Sequence, residues 1–141
     1  MADLMALTLH RPWSDLIATG QKKVENRGWS THYRGLVLVH SGRAYDPSAL
    51  VLTRHLGHPD PPTEQDSPLG HIAIAELVDV HPAGPQCGEA CDGYGMAEQH
   101  HWIWGGVLRL PEPIAERGRQ GLWLPSAETR ALAEAVLARG R

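Results

Sequence analysis

Residues 36–40 read Leu-Val-Leu-Val-His, and a run so evenly apolar leaves few architectures open. It is too short for a stable helix, and both of its parities are apolar, so it predicts a strand with cover above and below. Residues 70–80 repeat the demand over a longer span. There Ile72, Ile74, Val78 and Val80 share one parity, and Ala73, Ala75 and Leu77 share the other. Glu76 lies on the parity of the isoleucines and is therefore expected to point inward. A carboxylate in that position must be paired or protonated, because an isolated buried charge costs several kcal/mol or more.

Further elements follow from local signals. Leu4 to Leu9 reads as a first strand. Pro12 suits the first turn of a helix whose stripe is Trp13, Leu16 and Ile17, and Gly20 stops it. Lys22 to Trp29 is extended, and Ser48 to Leu56 is helical. The Pro-rich stretch 57–69 and the Gly/Pro/Cys stretch 82–95 are loops. His101 to Leu110 is a strand with Trp102 and Trp104 on one face. Leu122 to Leu124 is a short strand, and Ser126 caps a last helix, 127–139. Several strands with few helices predict an α+β domain built on a small, curved mixed sheet or barrel. One domain over residues 1–141, with the last helix packed on it, fits the length.

Charge narrows the function. A net charge of −3 with nine histidines argues against a protein that grips duplex DNA. No apolar run approaches the roughly 20 residues of a membrane span, and the N-terminus lacks a signal peptide's basic start, so the expected location is cytoplasmic. Five of the eight aromatic residues are Trp, a ring that suits cores and also suits stacking on planar ligands.

The chemistry concentrates at Gly20-Gln21-Lys22-Lys23-Val24-Glu25-Asn26-Arg27. In an extended segment Glu25 and Arg27 share a face, with Lys22 at the turn before them. A surface charge ladder would show the same local pattern. An inward Glu76 favours a pocket, where buried charges collect. His40, Ser41 and Arg43 end the buried strand in a polar turn, where His40 either hydrogen-bonds within a site or merely marks the strand end, and Ser41 and Arg43 could reach a phosphate. Cys87 and Cys91, flanked by His81, His100 and His101, are zinc-ligand types. Their spacing is not that of a standard knuckle, and Glu89 lies between the cysteines. The spacing therefore favours two reduced loop thiols, with no metal and no cofactor assigned.

Gly20-x-Lys22-x-x-Glu25-x-Arg27 resembles the GxKxxExR signature of the ASCH domain family. Arg11-Pro12-Trp13, Glu25-Asn26-Arg27-Gly28-Trp29, Tyr33-Arg34-Gly35, Val39-His40-Ser41, His101-Trp102-Ile103 and Gly118-Arg119-Gln120-Gly121-Leu122-Trp123 resemble its flanking segments in register. The resemblance implies a PUA-like fold, a small β-barrel flanked by helices, and a cleft proposed to bind RNA or nucleotides. Lys22, Glu25, Arg27, Trp29, His40, Ser41, Arg43 and Trp102 are then the candidate ligand-binding residues. Carboxylates would accept from an exocyclic amine, and a Trp would stack on the base. Some members are amidohydrolases acting on N4-acylated cytidine, and others have been assigned ribonuclease activity. The amidohydrolases resemble this chain at Lys22 and Glu76 but carry Thr where it has Glu25. The alternative is thus a hydrolase with Lys22, Glu25 and Glu76 as its catalytic group, Lys22 serving as general base and water as nucleophile.

Overall fold

The computed structural model describes residues 4–91 and 93–140. Six strands form one sheet: β1 (Met5–Arg11), β2 (Val24–Arg27), β3 (Gly35–Tyr45), β4 (Gly70–Pro82), β5 (His100–Ile114) and β6 (Leu122–Trp123). Three helices accompany them: α1 (Trp13–Ala18), α2 (Ser48–His55) and α3 (Ala127–Arg139). The strand order is β2-β5-β4-β3-β1-β6. Every pairing is antiparallel except β1 with β3. No helix among the described residues is long and apolar enough to cross a membrane.

The apolar runs are explained by cover on both sides of the central strands. Leu7, Leu9, Val37, Val39, Ala73, Ala75 and Leu77 point to one face, where Ile17 and Ala18 of α1 meet Trp102 and Trp104. Ala6, Leu38 and Ile74 point to the other, where Ala133, Val136 and Leu137 of α3 pack with Leu110 and Trp123. The stop of α1 and the start of α3 follow from local chemistry. Gly20, just past α1, takes a left-handed φ of 82°, and the Ser126 hydroxyl accepts from the Thr129 N–H at 3.1 Å to cap α3.

Two expectations are corrected. Glu76 is exposed, although Ile72 and Ile74 on its parity are buried. The α3 side of the sheet is covered only as far as Ile74. Beyond it Glu76 and Val78 face solvent, the Glu76 side chain lying over Gly105, while Leu77 stays in the core. Register shifts between Ala75 and Leu77 and between Leu77 and Asp79 bend β4 at this point.

The sheet is also curved but open, so the expected closed barrel is not formed. The edges are β2 and β6, of four and two residues. Strands that short offer little backbone to pair, and a side chain does the bridging instead. The Arg27 guanidinium donates from Nη2 to the Thr8 carbonyl of β1 at 2.8 Å. The gap that this arm crosses is the cleft.

Candidate functional site

The cleft has a volume of about 910 Å³ and lies along the seam between the sheet edges. One rim is β2, with Glu25, Asn26 and Arg27. Thr8 and His10 of β1 lie opposite. Two irregular segments complete the walls, one with Tyr94 and Met96 and the other with Arg119, Gln120 and Gly121. Trp13, Trp29 and Asp46 also line it.

Glu25 is the centre of the charge arrangement. Its Oε1 accepts from Lys22 Nζ at 3.2 Å, and its Oε2 lies 3.0 Å from Arg27 Nε. The second contact is an ion pair without hydrogen-bond alignment, which leaves the Arg27 Nε–H without a partner. Lys22 is buried and its ammonium sits 5.4 Å from the centre of the Trp13 ring. Burial holds the Lys22 pKa below the ordinary lysine range; Glu25 opposes that effect and Arg27 adds to it. The backbone explains the convergence. The turn at Gly20 sets Lys22 below the strand, its N–H donating to the Leu16 carbonyl, and β2 then puts Glu25 and Arg27 on one face.

The aromatic surfaces are held by their own polar ends. Trp13 Nε1 donates to Asp46 Oδ2 at 2.9 Å. Asp46 also accepts from the Ser48 hydroxyl and N–H, and these bonds, with that of Trp13, hold its carboxyl below the usual range. Trp29 is 37% exposed and packs edge-on against Trp102, with ring centres 4.8 Å apart.

The sequence-predicted residues separate into two groups. Lys22, Glu25, Arg27 and Trp29 line the cleft. Trp102, His40, Ser41, Arg43 and Glu76 do not. Trp102 is fully buried, its indole N–H donating to the Trp29 carbonyl, so it supports a cleft aromatic and offers no face for stacking. Ser41 is buried against the Ser14 hydroxyl at 2.6 Å. The Arg43 side chain is exposed, and its carbonyl accepts from the buried Arg11 guanidinium. Glu76 lies on the solvent-facing stretch already described.

His40 is buried behind the cleft in a polar network. One ring nitrogen meets Thr8 Oγ1 at 3.1 Å and the other the Glu116 carbonyl at 2.7 Å. His71, whose ring centre lies 4.7 Å away, bonds the Glu116 carboxylate at 2.8 Å. Trp123 donates to Thr8 Oγ1, and Gly118 packs so closely that a Cβ there would lie 2.9 Å from both His40 and Thr8 Oγ1. This network fixes the segment that presents Arg119 and Gln120.

Four of the cleft residues that the sequence reading passed over stand in segments it had singled out. Trp13 stands in Arg11-Pro12-Trp13, Asn26 inside the signature, and Arg119 and Gln120 in the Gly118 to Trp123 segment. Tyr94 and Met96 carried no such signal. Among the described residues one set of potential metal ligands exists, His81, Cys87, Cys91 and His101, and it lies outside the cleft.

The ASCH domain family model matches residues 7–115. Among solved structures, a serine-to-alanine mutant of ZmASCH from Zymomonas mobilis is similar over 94% of this chain and 96% of that one. The TM-score is 0.53 and the sequence identity 15%, a likeness that speaks for the fold alone. No curated protein sequence matches the chain significantly.

Proposed function

The chain belongs to the ASCH domain family, and on that premise we propose that its cleft binds RNA by taking in one base or modified nucleoside. The observation that carries this reading is the triad of Lys22, Glu25 and Arg27 beside two indole surfaces. Lys22 and Arg27 supply donors for a base carbonyl or a phosphate, and Glu25 an acceptor for an exocyclic amine. Trp29 presents an exposed ring of the kind on which unpaired bases stack, and each such contact contributes about 1–3 kcal/mol. The volume of about 910 Å³ accommodates a nucleoside with part of its flanking backbone.

One observation favours hydrolysis as the second reading. A buried lysine with a depressed pKa is the usual form of a lysine general base. Against it, Glu25 engages Lys22 directly, as a charge-satisfied recognition group requires. The Thr8 hydroxyl in the cleft is held between His40 Nδ1 and the Trp123 N–H, a pairing that does not itself argue against hydrolysis.

Titration of intrinsic Trp fluorescence with cytidine, N4-acetylcytidine and a short single-stranded RNA tests the reading, with the end-point samples run on a chromatograph. Saturation with the ligand recovered intact is the expected result. Release of acetate or cleaved RNA would establish the hydrolase instead. Lys22→Ala should cost at least tenfold in affinity and leave the melting temperature near that of the wild type, because Glu25 keeps Arg27. Unchanged affinity in that variant would remove the triad from recognition.

A further inference from the structure

We propose that His81, Cys87, Cys91 and His101 form a structural site for one zinc ion that pins the 82–99 loop, and with it one wall of the cleft. Their ligand atoms all lie within 4.8 Å of one another. Cys87 Sγ is 3.2 Å from His101 Nδ1 and 3.6 Å from His81 Nε2. Cys91 Sγ is 3.2 Å and 3.4 Å from the same two nitrogens. Tetrahedral zinc with ordinary Zn–S and Zn–N bonds requires S···N edges of about 3.6 Å, so an expansion of these edges by at most a few tenths of an ångström separates this cluster from a coordination shell. Two thiolates and two imidazoles in that arrangement are a zinc set, and their softness disfavours calcium or magnesium.

The outer atoms supply an independent argument. Asp79 Oδ2 lies 2.6 Å from His81 Nδ1, and the Met96 carbonyl lies 2.7 Å from His101 Nε2. Each acceptor keeps the ring proton on the outward nitrogen, so the inward nitrogen presents its lone pair to the sulfurs. Metal-binding histidines are oriented in this way, by a carboxylate in one case and a carbonyl in the other. Two neutral thiols would offer only two weak S–H donors to those lone pairs. A cation satisfies all four groups together.

The fold brings the set together from three places. His81 and His101 are cross-strand partners on β4 and β5, and the intervening loop folds back to place the cysteines over them. Cys91 ends a 3-10 turn, Glu89–Cys91. Gly95 lets the loop lie flat on the cluster, since a Cβ there would sit 2.9 Å from the His101 ring and 2.7 Å from the Cys91 carbonyl. From this anchor the loop runs to Tyr94 and Met96 in the cleft wall. Asn26 of the signature holds the same stretch, donating to the Tyr94 carbonyl and accepting from the Met96 N–H. The cysteines and the signature thus secure the wall from opposite sides.

Metal analysis of the full chain tests the site without reference to any nucleic-acid ligand. Protein grown with zinc and dialysed against metal-free buffer should keep close to one zinc per chain. Exchange with cobalt should give intense visible bands and a near-ultraviolet thiolate-to-cobalt band. Cys87→Ser and Cys91→Ser should lose both, and His100→Gln, beside the set, should keep them. Because the cysteine variants risk misfolding, Asp79→Asn provides a second test on an exposed carboxylate. It should weaken zinc affinity about tenfold or more, read by competition with a chromophoric chelator, with the fold retained. Less than a tenth of an equivalent of zinc after loading, a Cys87–Cys91 disulfide in its place, or wild-type zinc affinity in Asp79→Asn would each overturn the proposal.

Discussion

Two irregular segments wall the cleft, and each is tied to the sheet by a pair of histidines, yet the two ties work by opposite chemistry. Behind the 115–121 wall, His40 and His71 are enclosed with a hydroxyl, a carbonyl and a carboxylate. Three of the four ring nitrogens find a protein partner there, His71 Nδ1 being left without one, so the tie is made by protein groups alone. Behind the 82–99 wall, His81 and His101 turn their lone pairs toward two sulfurs. The zinc ion proposed above would complete that tie. The residue type is the same; what its neighbours can donate decides whether a histidine pair makes a pH-sensitive lock or a metal-sensitive one.

Acid should break the first lock, and this is the largest effect expected. Burial, reinforced by His40 and opposed by the Glu116 hydrogen bond, lowers the His71 pKa to about 4. Burial lowers that of His40 as well. A histidine in the unfolded chain takes up its proton near pH 6.5, before the folded one does. Stability is therefore full above that value and falls as the pH drops toward 4, by up to about 3 kcal/mol for His71. Urea midpoints measured from pH 7.5 to 4 should trace the loss, and His71→Gln should flatten it. A wild-type profile already flat between 6.5 and 5 would mean that the pair is not buried as described.

Glu116→Ala should follow, at about 2 kcal/mol. It leaves the buried His71 donor and the Ser126 N–H without their acceptor. Zinc content should not change in this variant, and a change would show that the two walls are coupled. Asn26→Ala removes both bonds to the opposite wall and should cost about 1 kcal/mol in urea denaturation. It should also weaken nucleoside binding, since Tyr94 and Met96 lose their hold on β2. Glu76→Ala sets the floor. An exposed carboxylate outside both walls should change stability by no more than about 0.5 kcal/mol.

Much of the frame was legible because it rests on local signals. The Leu36–Val39 run, the stop at Gly20 and the cap at Ser126 each name their element without reference to anything distant. Glu76 was not legible in this way. Its parity is that of Ile74, but α3 covers only part of that face, and where a helix packed from the far end of the chain stops is a tertiary fact. Trp102 and Trp29 look alike as candidates for stacking, and only packing decides which is core and which is rim. The histidines and cysteines were named in the sequence, but their assembly was hidden for a related reason, and the spacing favoured reduced thiols. His81 and His101 become neighbours through strand register across twenty positions, so the Cys-x3-Cys spacing alone showed half of a ligand set.

The open seam has one more consequence. Unpaired sheet edges invite strands from other molecules to add to them, and soluble proteins blunt such edges by shortness, charge and cover. Here β2 has four residues, three of them Glu25, Asn26 and Arg27, and β6 has two. The Arg27 arm occupies the Thr8 carbonyl where an incoming strand would dock. The signature that equips the cleft thereby also guards the chain against edge-to-edge aggregation, and substitutions in it bear on solubility as well as on recognition.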